Sequence, residues 1–114
     1  MFNRIVSIDE EINKRFDCLY RDEFDKLKAY TSVNPDAAKA IAVLKAKGYQ
    51  LAICTNPLYP KVATYLRIAW AGLNPNDYSL ITTFENSRFS KPNPLYYQEV
   101  LHTLNKTPKQ CLMV

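Results

Sequence analysis

The sequence predicts an α/β fold with helices on both faces of a parallel sheet, a three-layer arrangement. First, the apolar run YQLAIC at 49–54 lies between helix-patterned segments at 35–47 and 60–71. Second, another strand-like run, YSLITTF at 78–84, precedes a helical segment at 94–104, and CLMV at 111–114 again has strand composition. Strands alternating with helices of this length imply right-handed crossovers between parallel strands.

Taken in order, Ser7 and Glu10 have capping-box spacing, and Asp9 adds negative charge to the first turn. Ile8, Ile12, Phe16, Leu19, Phe24 and Leu27 follow at helical spacing, so one long amphipathic helix is expected over 8–29. YTSVN at 30–34 is a linker. Asn34-Pro35 is an N-cap followed by proline at the first helical position, and Gly48 stands where a helix ends. The near-continuous apolar character of YQLAIC implies a strand buried on both faces. The third helix runs through Val62, Leu66 and Trp70 and stops at Gly72; NPND at 74–77 is a turn. In SKPNP at 90–94, Asn93 caps the fourth helix, with Pro94 at its first position.

The 114 residues suffice for one domain, and 47% apolar with 23% charged residues describes a folded chain rather than a disordered one. The net charge of +4 invites a nucleic-acid partner, but the basic residues alternate with acids, as in NKRFDCLYRDEFDKLK, which suits a solvated helix face. Nucleic acid is therefore not expected as a partner. No apolar run reaches membrane-spanning length, so no membrane partner is expected either. Cys18, Cys54 and Cys111 are widely spaced, each in an apolar segment, and His102 is the only histidine. That excludes a zinc motif or disulfide framework and implies three buried thiols in a reducing, cytoplasmic compartment. His102 is expected as an ordinary surface or core residue of the fourth helix.

Chemistry concentrates at two places. LAICTNP ends a strand on Thr55 and Asn56, where α/β sheets place ligands; a hydroxyl and the following backbone N–H groups face an anion near the start of the third helix. Asn56-Pro57 reads equally as a turn initiator. Lys91 precedes Pro92, which favours an extended backbone, and stands beside a helix start that offers N–H donors. A solvated loop lysine is the plainer reading. The two segments are 36 residues apart, and a βαβ crossover brings both to the same sheet edge.

The combination VNPDAAKAIAVLKAKGYQLAICTNP, ITTFENSRFSKPNPLYY and CLMV, over residues 34–114, resembles the haloacid dehalogenase superfamily of phosphohydrolases. The resemblance implies a partial Rossmann-like core at 34–114, with residues 1–33 a helical segment derived from a cap. It implies that Thr55, with the Asn56 backbone N–H, binds the phosphoryl group, while Lys91 neutralises charge on a nucleophilic aspartate and on the phosphoryl oxygens. The substrate would be a small phosphorylated metabolite, handled through an aspartyl-phosphate intermediate.

The family's first motif, Asp-x-Asp after an apolar strand, occurs nowhere in the chain, and Asp9 with Glu11 reads as a helix start instead. The acidic fourth motif is not reached by Val114. Magnesium is thus expected for the complete enzyme and not for this chain alone, and no residue is assigned to a metal. The expectation is a fragment of a larger hydrolase, inactive by itself. The family places the first-motif strand between LAIC and CLMV, so a partner chain filling that place, or closure of the two strands, are the other outcomes. Two alternatives stand beside the hydrolase: a non-catalytic anion-binding module, and an interaction protein that docks through helix 8–29.

Overall fold

The structure, a computed structural model, describes residues 2–114, with side chains from Asp9 onward. The α/β expectation holds: the chain combines four α-helices with a small two-stranded parallel sheet. Helix α1 spans Phe2–Cys18 and continues into a wider π turn at Leu19–Glu23 and tighter 3₁₀ turns at Phe24–Tyr30. The predicted start at Ser7 is therefore corrected, since the helix begins earlier. The Ser7 hydroxyl and the Ile8 side chain lie outside the described residues. Only part of the predicted stripe packs. Phe24 stacks on Trp70 with ring centroids 5.3 Å apart, and Tyr20, which lies outside the predicted stripe, meets Tyr59 edge-on at 6.5 Å. Ile12, Phe16, Leu19 and Leu27 stay exposed. The change of pitch after Cys18 breaks the uniform period on which a single stripe depends.

Helix α2, Pro35–Ala46, begins as predicted: the Asn34 side chain accepts the Asp36 N–H at 3.0 Å, and Pro35 opens the helix. Gly48 has φ +81°, the left-handed value that glycine adopts most readily after a helix end. Gly72 does the same at φ +76°, just beyond α3, Lys61–Trp70.

Strands β1, Ala52–Ile53, and β2, Leu80–Ile81, pair in parallel, with Ala52 opposite Leu80 and Ile53 opposite Ile81. Both are far shorter than the runs that predicted them. Residues 111–114 form no strand among the described residues; Leu112 is 89% exposed. The predicted third strand is thus corrected, and so is burial of YQLAIC on both faces. Residues 51–54 are half-buried and Tyr49 is exposed. The cause is pairing. A strand persists only where its N–H and C=O groups find a neighbour, and β1 is paired with β2 alone.

The core lies between α3, β2 and α4, Pro94–Leu104. The buried apolar side chains are Ala63, Ile68 and Trp70 of α3, Ile81 of β2, and Tyr96 and Val100 of α4; α4 packs on β2, while Trp70 packs on Phe24 of the N-terminal segment. The radius of gyration is 17.0 Å, against about 13 Å for a compact domain of this length. Much apolar surface is therefore left uncovered. Cys18 and Cys111 are exposed and Cys54 is half-buried, which corrects the expectation of three buried thiols. His102 is exposed on α4. Among the described residues, no helix is long and apolar enough to cross a membrane.

Candidate active site

Beyond β1 the chain runs through Cys54, Thr55 and Asn56 into the buried Pro57; beyond β2 it runs through the buried Thr82 and Thr83. The Thr82 N–H donates to the Ile53 carbonyl at 3.0 Å, carrying the pairing one step past β2. The Thr82 hydroxyl donates to the Thr55 carbonyl at 2.6 Å, and the Tyr96 hydroxyl donates to the same oxygen at 2.9 Å. The two hydroxyl oxygens are 3.1 Å apart. This network uses the Thr55 carbonyl rather than its hydroxyl.

Lys91 lies against the same turn. Its backbone N–H donates to Asn56 Oδ1 at 3.0 Å, and its Nζ donates to the Cys54 carbonyl at 2.8 Å. The structure therefore brings together the TN turn and the KPNP segment, with the ammonium on the residue just before Thr55. The Lys91-Pro92 peptide is cis. Asn93 caps α4 as predicted, its side chain accepting the Leu95 N–H at 2.9 Å. Burial pushes the Cys54 thiol above its ordinary value, against the opposing pull of the Lys91 ammonium. Burial likewise raises the Tyr96 phenol, partly offset by its bond with Thr82. Both groups stay protonated at neutral pH, so Lys91 is the charge that dominates the turn.

At the start of α3 one backbone N–H is already engaged. Both carboxylate oxygens of Glu85 take the Lys61 N–H, at 3.0 and 2.8 Å. A carboxylate is favoured at the positive end of a helix, and here the protein supplies its own. The Lys61 N–H is therefore not free for an anion at the TN turn.

Sequence reasoning did not place Tyr96, Thr82 or Glu85 in the site. A signal existed for the first two. A phenol on the inward face of a helix needs a hydrogen-bond partner, and ITTF ends its strand on threonines just as LAICT does. For Glu85 there was none, because its partner Lys61 is 24 residues away in the chain.

The groups at the turn are a hydroxyl, an amide, an ammonium and a thiol. Among the described residues no three His, Cys, Asp or Glu side chains converge on a point. Magnesium takes several hard oxygen ligands in octahedral geometry. The residues present do not fit it.

No curated protein and no solved structure matches the chain. A family model described as haloacid dehalogenase-like hydrolase matches residues 3–114. The match takes in the TN turn, the Lys91 segment and residues 111–114 together, and extends over the N-terminal helix as well. With nearly its whole length so matched, the chain belongs to the haloacid dehalogenase-like hydrolases.

Proposed function

We propose that this chain carries the phosphate-binding half of a hydrolase site acting on a small phosphorylated metabolite through an aspartyl-phosphate intermediate. Thr55 donates its hydroxyl to a phosphoryl oxygen, the Asn56 backbone N–H supplies a second donor, and Lys91 balances the negative charge. One observation supports this most directly: the Lys91 ammonium rests 2.8 Å from the carbonyl of Cys54, beside Thr55. An ammonium bonded only to a neutral carbonyl keeps its full charge available, and fixed charge aimed at a phosphoryl group is worth most in a partly water-excluded site.

The nucleophilic aspartate and the carboxylates for magnesium come from outside these residues, so the chain alone does not turn over substrate. A strand inserted beside β1 brings the aspartate within reach of Lys91, and a second chain or further segment completing the sheet supplies that strand. Residues 1–33 act as a cap-derived segment, residues 34–114 as a partial core, in the cytoplasm.

Two measurements on the purified chain test this. Inorganic phosphate titrated into the ¹⁵N-labelled chain shifts the amides of Thr55, Asn56 and Lys91, and Lys91→Ala abolishes the response. A phosphatase assay with magnesium stays at buffer background. No phosphate response sinks the site; turnover well above background sinks the division of labour.

A further inference from the structure

Tyr96 is 1% exposed, the largest fully buried side chain among the described residues. A phenol that deep is retained where its hydroxyl has a partner, since phenylalanine fills the space without a polar group to satisfy. Its partner is the Thr55 carbonyl, which also receives the Thr82 hydroxyl. Two hydroxyls from two elements, α4 and the end of β2, thus converge on one backbone oxygen.

The consequence follows from peptide geometry. The Thr55–Asn56 peptide is trans and planar, so its N–H points opposite to its C=O. Pinning the carbonyl inward against Tyr96 and Thr82 turns the Asn56 N–H away from them, and removes the rotation by which the Thr55 backbone would carry its side chain elsewhere. Two donors fix such a plane better than one. The two hydroxyl protons can serve only two of the three contacts within the trio, so loss of either hydroxyl leaves the other able to reach the carbonyl.

We infer that Tyr96 and Thr82 are positioning residues of the phosphate site, clamping the Thr55 carbonyl so that the Asn56 N–H and the Thr55 hydroxyl are held toward the phosphoryl oxygens. The inference rests on the phosphate-binding function proposed above. Neither residue touches substrate. The pair acts through one peptide plane and sets how well a pre-aimed donor set meets the anion.

The test uses the full 114-residue chain labelled with ¹⁵N and ¹³C, with inorganic phosphate as the probe. Tyr96→Phe and Thr82→Val are compared with the wild type and with Tyr97→Phe, which alters the neighbouring half-buried tyrosine. In either clamp variant the Thr55 carbonyl shift moves before phosphate is added, and the phosphate dissociation constant rises roughly fivefold, the scale of one hydrogen bond. The double variant loses more than the two single changes together, because each hydroxyl covers for the other. Tyr97→Phe stays within about twofold of the wild type on the same scale. Should one clamp variant fail to fold, the other carries the measurement.

A wild type that binds phosphate, with clamp variants binding equally well, overturns the clamp and leaves the phosphate site standing. An equal loss in Tyr97→Phe also overturns it, since the effect is then general loosening of α4. A wild type whose Thr55, Asn56 and Lys91 amides ignore phosphate overturns the site itself, and the clamp with it.

Discussion

The backbone N–H of Lys91 is held by the side-chain oxygen of Asn56, 3.0 Å away and 35 residues earlier in the chain. The amide of the TN turn is therefore engaged before any ligand arrives, and its work is to hold the lysine loop. Asn56, expected to start a turn or to offer its backbone N–H to an anion, joins the two halves of the site through its side chain.

Replacing Asn56 with alanine leaves the half-buried Lys91 N–H without its acceptor. The expected cost is about 1 kcal/mol, the low end for an orphaned donor because water reaches part of this one. The urea unfolding midpoint reads it. Asn56→Asp keeps the acceptor and adds a negative charge beside the ammonium, so it retains most of the stability while repelling phosphate. A loss of midpoint in Asn56→Asp as large as in Asn56→Ala contradicts the assignment.

Trp70 anchors the N-terminal helical segment to α3. Its indole N–H donates to Asp25 Oδ1 at 3.0 Å, and its ring stacks on Phe24. It is the single tryptophan, so its fluorescence reports on this junction alone. Asp25→Ala removes the acceptor of a buried indole; the emission maximum shifts to the red and stability falls by about 1 kcal/mol. An unchanged spectrum means the segment is held by ring packing without the hydrogen bond.

What the sequence disclosed about this molecule was local. Asn34 and Asn93 as helix caps, proline after each, and Gly48 and Gly72 past two helix ends were all readable, because each depends on a few neighbouring residues with fixed backbone demands. The meeting of Lys91 with the TN turn was also foreseen, since a βαβ crossover leaves it little choice. What failed was non-local. CLMV has strand composition, yet pairing needs a neighbour, and no residue in the run says whether one is present. Composition likewise placed Cys18 and Cys111 inside, whereas burial depends on what covers the face.

Glu85 caps α3 from across the loop, taking the Lys61 N–H with both oxygens. Glu85→Ala uncovers that donor and removes the favourable charge at the helix start, with an expected loss of about 1 kcal/mol in thermal or urea unfolding. Glu85→Gln keeps an acceptor and loses the charge, so it falls between the two. If Glu85→Gln is as damaging as alanine, charge rather than hydrogen bonding stabilises the cap.

The loop bearing Lys91 is fastened at its other end by Glu99 of α4, which accepts the Arg88 backbone N–H at 2.9 Å and the Arg88 Nε–H at 3.0 Å. The backbone N–H is the larger reason that the Glu99 carboxyl is held below its ordinary value, the guanidinium bond the next. A carboxyl whose folded value lies below its unfolded one stabilises the fold at neutral pH. That contribution is complete above the ordinary glutamate value of about 4.3 and drains away as pH falls through the lowered folded value. The stability difference between the wild type and Glu99→Gln is therefore constant near neutrality and shrinks as pH falls below the ordinary glutamate value of about 4.3. Arg88→Ala separates the two causes. It deletes the highly exposed side chain, 83% accessible, but keeps the backbone N–H, so most of the pH dependence survives. If Arg88→Ala removes the dependence as fully as Glu99→Gln does, the ion pair and not the backbone bond holds the carboxylate.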